Sequence, residues 1–317
     1  MGCKFCGLLY TFHSFYRKRE IMTSIKDFYK NRRVFITGHT GFKGSWLCEV
    51  LLNFGAQIGG FALNPQEPEN LFSILGLADR VHHFAGDIRN AEALKSAVKS
   101  FMPEIVIHMA AQPLVLESYK NPAYTYEVNV MGTVNILEAV RDCESVQSFL
   151  NVTTDKVYLN REWVYGYREN ERLCGYDPYS NSKSCSELVT YSYRNSFFGQ
   201  EDSPAISTAR SGNVIGGGDF AQNRIIPDCM RSVLKGEDII LRNPHSVRPY
   251  QHVLECLSGY LLLAMKQYQD KAAYEGSYNF GPGEDSCVTT RKIAELFRKN
   301  YYGGGGYKRL SFRLTAA

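Results

Sequence analysis

The stretch NVTTDKVY at residues 151–158 places an acid and a base side by side, Asp155 and Lys156, where an apolar run ends. Two hydroxyl residues, Thr153 and Thr154, come directly before them. A carboxyl and an amine at the end of a buried strand can serve as acid and base beside a substrate. The same two residues can also form a solvated ion pair that closes a strand. The choice depends on what the rest of the chain builds around this stretch.

A second pair with chemical potential lies in DPYSNSK, where Tyr179 and Lys183 are four residues apart and share one face of a predicted helix. A free phenol has a pKa of about 10. A nearby ammonium stabilises the phenolate, so we expect a lowered pKa for Tyr179 and a role as general base. With 21 tyrosines in the chain, this spacing alone carries little weight. Its position after a strand that ends in Thr154 predicts a Thr–Tyr–Lys redox unit.

A glycine-rich turn, TGHTGFKG, places Gly38, Gly41 and Gly44 between the first predicted strand and its helix. Such glycines let the backbone approach a pyrophosphate, which then binds at the helix N-terminus. The order Lys43-Gly44-Ser45 does not fit an ATP-binding Walker loop. We therefore predict a dinucleotide site. The end of the second strand, GFALNPQ, has no acidic residue for the adenine ribose, so NAD and NADP both stay open.

Asp87, in GDI after the third predicted strand, has two interpretations. It can bond the adenine amino group, or it can be a surface residue ahead of a helix.

Strand and helix patterns alternate from residue 33 to about 210. Strands of this spacing, separated by helices, predict an α/β fold with a doubly wound parallel, Rossmann-like sheet. The predicted strands are 34–37, 58–63, 81–88, 104–110, 148–154 and 205–210, and the longest predicted helices are 122–142, 177–198 and 253–268.

The domain boundaries that we predict are a poorly structured extension over 1–30, a nucleotide-binding domain over 31–210 and a disordered tail over 303–317. Between them, residues 211–302 form a smaller, mixed substrate cap that interleaves with the first domain and is incomplete at its C-terminal end.

Composition excludes several classes of protein. The chain has 317 residues, is 44% hydrophobic and carries a net charge of +4 without a long basic block, which argues against a nucleic-acid partner. Nine cysteines are scattered, apart from Cys3 and Cys6, which favours reduced thiols and a cytoplasmic location. Apolar runs are too short to span a membrane. Nothing in the sequence indicates a metal site, and His82, His83 and His108 are interpreted as core or strand-edge residues.

The segments GHTGFKGSW, AAQPLV, TTDKVY, DPYSNSK, GNVIGGGD and RPYQHVLE together resemble the extended short-chain dehydrogenase/reductases that act on nucleotide sugars. They are most similar to the CDP-glucose 4,6-dehydratase branch of that family, in consistent order from about residue 31 to 300. The resemblance implies NAD as cofactor, CDP-glucose as substrate and a homodimer paired through the helices 122–142 and 177–198. It also implies a lyase reaction, in which a hydride is stored and returned while water is lost.

The resemblance assigns the site residue by residue. It places Thr154, Asp155, Lys156, Tyr179 and Lys183 at the reacting sugar, with Asp155 as the acid and Lys156 as the base for water loss. Both roles require burial, because Asp155 must be protonated and Lys156 neutral. The remaining residues, with Tyr179 and Lys183 shared, divide into a cofactor side of Gly38, Thr40, Gly41, Phe42, Gly44, Asp87, Ile88, Ala110, Ala111 and Gln112, and a substrate side of Thr154, Arg210, Asn213, Arg248 and His252.

Several alternatives stay open. Another nucleotide-sugar dehydratase or an epimerase of the same fold would share most of these residues, although an epimerase does not need the Asp155–Lys156 pair. The chain end GGGGYKRLSFRLTAA departs from the family pattern and leaves room for a catalytically impaired nucleotide-binding protein. Arg248 as a loop charge and His252 as a helix cap are the alternatives on the substrate side.

Overall fold

The computed structural model describes residues 15–65, 69–301 and 312–314. Seven parallel strands form one sheet in the order β11-β6-β5-β4-β1-β2-β3. Their bounds are β1 Arg33–Thr37, β2 Gln57–Ala62, β3 His82–Ala85, β4 Ile105–His108, β5 Ser148–Thr154, β6 Ala205–Ser211 and β11 Ser277–Phe280. The doubly wound parallel sheet predicted from the sequence is confirmed.

Helices cover both faces of this sheet. The described helices are Phe15–Tyr29, Phe42–Asn53, Leu71–Ile74, Ala91–Phe101, Val115–Lys120, Pro122–Tyr126, Gly132–Arg141, Pro178–Phe197, Ile225–Lys235, Val253–Gln269, Lys271–Tyr274 and Thr290–Tyr301. Of these, Ile225–Lys235 and Thr290–Tyr301 pack with each other in a separate small core. Within β1, Val34 and Ile36 join one core with helices Phe42–Asn53 and Val253–Gln269, while Phe35 joins a second core on the other face. Since side chains alternate along a strand, a strand buried on both faces reads as a continuous apolar run.

Two long helices lie beside the end of β5. The predicted helix over 122–142 is observed as Pro122–Tyr126 and Gly132–Arg141, joined without a break by the π-helical segment Glu127–Met131. The predicted helix over 177–198 is Pro178–Phe197. It begins after Asp177, whose carboxylate accepts a hydrogen bond from the Ser180 amide at 3.0 Å. These ends set where Tyr179 and Lys183 lie, in the first two turns.

The prediction of a poorly structured extension over residues 1–30 is wrong for its second half. Phe15–Tyr29 is a helix, and its residues Ile25 and Tyr29 are buried in the first core. The Tyr29 hydroxyl donates a hydrogen bond to the Leu261 carbonyl at 2.8 Å. Sequence patterning missed this helix because its apolar face is complementary to another helix, far away in the chain. Cys3 and Cys6 lie outside the described residues.

The region predicted as an interleaved substrate cap, residues 211–302, divides between two cores. Helix Val253–Gln269 and β11 pack with the nucleotide domain. A small separate core consists of Cys229, Ile239, Leu241 and Ala294. The short strands of this region are β7 Val214–Ile215, β8 Ile239–Leu241, β9 Val247–Pro249, β10 Gln251–His252 and β12 Cys287–Thr289. β8 contributes to the small core, whereas β7 and β10 pair with each other beside helix Val253–Gln269.

The predicted disordered tail also contains a strand. Phe312–Leu314 forms β13, which pairs in parallel with β8. The rest of 303–317 lies outside the described residues.

Candidate functional site

The crevice at the carboxyl ends of β1 and β4 is where the chain reverses its direction of winding across the sheet. β1 is followed by β2 on one side, whereas β4 lies on the other side of β1. The two connections therefore diverge and leave an opening, which is where open α/β sheets bind ligands. The sequence-predicted catalytic residues lie on the β4 side of this opening, at the end of β5 for Thr154 and after it for Asp155, Lys156, Tyr179 and Lys183.

The glycine turn closes one side of the crevice. Gly38 has a φ of +75°, and a Cβ there would lie 2.8 Å from the Ala110 backbone. A Cβ on Gly44 would lie 2.3 Å from the Gly38 carbonyl oxygen. Gly41, at the start of helix Phe42–Asn53, supplies no capping side chain, so the first helical N–H groups point to the crevice. This turn therefore fits a dinucleotide pyrophosphate.

The other residues predicted on the cofactor side, Asp87, Thr40, Phe42 and Ile88, make contacts within the protein. The Asp87 carboxylate forms an ion pair with Arg89, with Oδ2 2.8 Å from Nη2, and this partner lowers the pKa of Asp87. Thr40 donates its hydroxyl to the Leu63 carbonyl at 2.9 Å. Phe42 packs against the first core and Ile88 lies in the second. Asp87 is thus anchored beside the crevice, and both of its interpretations remain compatible with the structure.

The loop after β4 carries Ala110, Ala111 and Gln112. Its backbone is held at Gln112, whose amide donates to Asn129 Oδ1 at 2.8 Å and whose carbonyl accepts from Asn129 Nδ2 at 3.1 Å. The Gln112 side chain turns inward and donates to Thr125. Asn129 lies in the π-helical segment, and such segments often occur at functional sites. Both the backbone and the side chain of Gln112 are therefore committed to structural contacts, and its role as a cofactor contact is not supported.

Asp155 and Lys156 lie in a 3₁₀ turn, Asp155–Val157, directly after β5. Lys156 Nζ is 3.4 Å from Asp155 Oδ1, and the two side chains are 34% and 37% exposed for Asp155 and Lys156. The burial that we expected at both residues is therefore not observed. A Cβ on Gly212 would lie 3.0 Å from Asp155 Oδ2 and 2.8 Å from Pro249, so the acid faces the cap.

Tyr179 lies beside this turn. Burial raises the pKa of Tyr179, while the charge of Lys156 and a hydrogen-bonding contact with the Thr154 hydroxyl oppose that rise. The lowered pKa that we predicted from Lys183 is therefore wrong for this structure, because burial outweighs the charges and the cations that act on the phenol are Lys156 and Arg224. The association of Thr154 and Tyr179 with the Asp155–Lys156 turn is nevertheless observed.

Lys183 is almost fully buried below Tyr179. Its Nζ donates to the Val152 carbonyl at 3.2 Å, and it is 4% exposed. Burial, followed by the charge of Lys43, lowers the pKa of Lys183 to about 8, and Glu187 acts against that change. A lysine with a pKa of about 8 can change its protonation state near neutral pH.

Lys43 is a site residue that our sequence reasoning missed. Its side chain leaves the glycine turn after β1 and donates to Ser211 Oγ, at the end of β6, at 2.9 Å. Ser211 also accepts a hydrogen bond of 2.7 Å from the Tyr260 hydroxyl. Burial lowers the pKa of Lys43. The sequence held one signal, a lysine between two loop glycines, which we used only to exclude a Walker loop.

Two predicted substrate-side residues have side-chain groups that no other described side chain occupies. Asn213 follows β6, and its Oδ1 is buried without a hydrogen-bond partner among the described residues. Arg248, on β9, is exposed and donates to the Val247 carbonyl. The charge of Arg224 reaches both Tyr179 and Lys43, although it also pairs with Asp219 at 3.0 Å. Arg224 is a further site residue that the sequence analysis did not identify.

The other two substrate-side predictions are not supported. Arg210 is 3% exposed and its guanidinium is directed at Glu187, Tyr158 and the Glu169 carbonyl, so it lies behind the site. His252 accepts a hydrogen bond from the Leu254 amide at 3.2 Å and caps helix Val253–Gln269, as its alternative interpretation stated. Sequence position placed both near the site, but their side chains are committed to structural contacts.

His108 is a core residue, as predicted. It is 1% exposed and bonds Thr37 at 2.7 Å, and burial lowers its pKa to about 3. Across the described ranges, no group of three His, Cys, Asp or Glu side chains is arranged to hold a metal ion. Within the same ranges, no helix combines the length and apolarity that crossing a bilayer requires.

Comparison with known proteins gives consistent results. The family model described as GDP-mannose 4,6 dehydratase matches residues 35–284. A protein named CDP-glucose 4,6-dehydratase from Salmonella typhimurium is 49% identical, covering 85% of this chain and 76% of the relative. A CDP-paratose 2-epimerase from Salmonella typhi is 31% identical, covering 84% and 82%.

Solved structures agree on the fold. A UDP-glucose 4-epimerase from Thermus thermophilus in complex with NAD superimposes with a TM-score of 0.73 at 25% identity, covering 90% of this chain and 86% of that one. A dTDP-glucose 4,6-dehydratase from Streptomyces venezuelae, with NAD bound, gives a TM-score of 0.75 at 22% identity, covering 90% and 84%.

Proposed function

Because the chain belongs to the GDP-mannose 4,6-dehydratase family, we propose that it is a lyase that converts CDP-glucose, with NAD, to CDP-4-keto-6-deoxyglucose and water. The observation that carries this proposal is the Asp155–Lys156 turn beside Tyr179 at the end of β5. A redox reaction alone needs only the Thr–Tyr–Lys unit, whereas loss of water needs a further acid and base. The 49% identical Salmonella relative, named for this reaction, supports the same conclusion.

The glycine turn and Lys183 would hold the cofactor. NAD, when bound, supplies a hydride acceptor that is restored at the end of the cycle. Tyr179 takes the proton of the sugar 4-hydroxyl, assisted by the Thr154 hydroxyl and the charge of Arg224, both of which lower the pKa of Tyr179 against the effect of burial.

The resulting 4-keto group acidifies the hydrogen on carbon 5, which Lys156 removes. Asp155 gives a proton to the 6-hydroxyl, which leaves as water. Carbon 6 then receives the hydride that was taken from carbon 4, and Lys156 returns a proton to carbon 5, which gives the 4-keto-6-deoxy sugar. The roles of Asp155 as acid and Lys156 as base require burial, and bound substrate would supply it by covering Asp155 and Lys156, which are 34% and 37% exposed in this structure.

On the substrate side, the diphosphate needs cations and the sugar needs hydrogen-bonding groups. The exposed guanidinium of Arg248 suits phosphate oxygens, because its planar donors can bind two of them at once. Asn213 Oδ1, which is buried and has no hydrogen-bond partner in the described part of the chain, is an acceptor that a substrate hydroxyl can satisfy. Arg210 takes no part in substrate binding, because Glu187 occupies its guanidinium.

The test is to incubate the purified protein with NAD⁺ and, separately, CDP-glucose, dTDP-glucose, UDP-glucose or GDP-mannose. We expect a 4-keto product from CDP-glucose alone. Product from a different sugar nucleotide would reassign the substrate, and no product from any of them would refute the enzyme assignment. Epimerised sugar without 4-keto product would favour the epimerase alternative.

We also propose a homodimer formed through helices Gly132–Arg141 and Pro178–Phe197. Supporting it, large apolar side chains are more than half exposed on or beside these helices, namely Tyr119, Met131, Leu188 and Tyr191. Replacing Leu188 with Glu should convert the dimer to a monomer in analytical ultracentrifugation, whereas a monomeric wild-type protein would refute the proposal.

A cytoplasmic location is part of the same proposal, and the free thiols of all the described cysteines support it.

A further inference from the structure

Glu187 and Arg210 form a buried ion pair behind the candidate site. Arg210 Nη2 lies 2.8 Å from Glu187 Oε2, Arg210 Nε lies 2.9 Å from Oε1, and the two side chains are 3% and 2% exposed for Arg210 and Glu187. A buried pair of this kind gains little net stability, because removing both charges from water costs about as much as their attraction returns. The contacts that the pair makes therefore indicate its role better than its contribution to stability does.

Glu187 holds the strand from which the catalytic turn leaves. Its carboxylate accepts hydrogen bonds from the hydroxyls of Thr153, in β5, and Thr208, in β6. Thr153 directly precedes Thr154, and in the sheet it lies opposite Arg210. The start of the segment Thr154–Val157 is thus fixed to the ion pair.

Arg210 holds the other end of the same segment. Its Nη1 donates to the Tyr158 hydroxyl at 2.7 Å and to the Glu169 carbonyl at 2.9 Å. Tyr158 directly follows the 3₁₀ turn, and its hydroxyl donates in turn to Asn279 at 2.6 Å. Both ends of the four-residue segment that contains Asp155 and Lys156 therefore connect to one ion pair.

The pair also connects to the helix that carries the redox residues. Glu187 lies one turn after Lys183 in helix Pro178–Phe197. Its charge raises the pKa of Lys183, against the larger effect of burial and against the charge of Lys43. The ion pair of Glu187 and Arg210 thus connects two elements. One is the helix that carries Tyr179 and Lys183, and the other is the segment that carries Asp155 and Lys156.

We propose that Glu187 and Arg210 are positioning residues, which hold the Asp155–Lys156 turn in register with Tyr179 and Lys183. Neither residue touches the substrate. This inference rests on the proposed function for its effect on turnover, but its effect on the turn is a property of the chain itself.

The test uses the double variant Glu187→Leu with Arg210→Met, because either single change would leave one charge buried without a partner and would risk unfolding. The control is Glu49→Leu with Arg80→Met, which removes an exposed pair with 2.6 Å between Arg80 Nη1 and Glu49 Oε2. Hydrogen–deuterium exchange of amides 155–158 is measured on both proteins at equal folded fraction. We expect exchange at least about tenfold faster in the first variant, because local opening there requires fewer contacts to break.

Turnover supplies the second measurement. We expect kcat for CDP-glucose to fall by about 10²-fold in the first variant, because a displacement of about 1 Å at a catalytic group has that effect. KM should stay close to the wild-type value, because the pair does not contact the substrate. The single variant Arg210→Lys keeps the positive charge but loses the bidentate contact. Its kcat should therefore lie between the values for the wild-type protein and the double variant.

Unchanged exchange at 155–158 in the folded double variant would overturn the inference, whatever the turnover. Faster exchange with kcat equal to that of the control would overturn it as well. If the wild-type protein converts none of the nucleotide sugars, the proposed function fails, and the exchange measurement alone decides the positioning role.

Discussion

Replacing Lys156 with Met should separate the two halves of the proposed reaction. Lys156 is 37% exposed and its contact with Asp155 is a single one of 3.4 Å. Exposed pairs of this kind contribute about 0–1 kcal/mol to the free energy of unfolding, so the variant should stay folded. Losing a general base slows a proton transfer by about 10²–10⁴-fold. That range corresponds to about 2.7–5.4 kcal/mol in the barrier, well above any effect on folding.

The assay follows two signals from CDP-glucose deuterated at carbon 5. Absorbance of the reduced nicotinamide reports oxidation at carbon 4, and release of deuterium to water reports removal of the carbon-5 hydrogen. In the Lys156→Met variant we expect the first signal to persist and the second to fall by the factor given above. The first signal should also last longer than in the wild-type protein, because the cycle stops before the hydride returns.

The control for this experiment is Lys95→Met. Lys95 pairs with Asp142 at side-chain exposures of 38% and 35%, which closely match those of Lys156 and Asp155, but it lies away from the crevice. Both deuterium release and oxidation should be unchanged in that variant. Undiminished deuterium release from Lys156→Met would refute the role of Lys156 as the base, and equal losses in both variants would show a general effect of charge removal.

Three further predictions concern the turn, the buried lysine and the π-helical segment. Gly44→Ala should lower stability by about 1–3 kcal/mol and weaken NADH binding in a fluorescence titration, because its Cβ would meet a loop carbonyl at 2.3 Å, whereas Gly217→Ala meets no atom within 4 Å and should behave as wild type. The pKa of Lys183 falls from 10.5 to about 8 on folding, so between pH 8 and pH 10.5 the unfolded chain binds more protons than the folded one. The free energy of unfolding should therefore rise with pH in this range, and Lys183→Met should remove that rise in urea unfolding. Asn129→Ala should lower the Tm, because it leaves two buried backbone groups of Gln112 unpaired, at about 1–3 kcal/mol each.

Much of the fold follows from local patterns in the sequence. Apolar runs such as Ser148–Thr154 and caps such as Asp177 were sufficient to place strands and helices within a few residues of their observed ends. The glycine turn was equally predictable, because its close backbone approaches exclude any side chain. The helix Phe15–Tyr29 was not predictable in this way, since its burial depends on Leu261 and its neighbours, more than two hundred residues later.

The sequence by itself determined which chemical groups this protein has and at which strand ends they occur, including Thr154, Asp155, Lys156 and the Tyr179–Lys183 spacing. The tertiary structure decided which of those groups face the crevice. It directed Arg210 to Glu187 and Lys43 to Ser211, and it left Asp155 and Lys156 about one third exposed. The physical reason is that burial and hydrogen-bond partners belong to pairs of distant residues, and their energies are set only when the sheet brings those residues together.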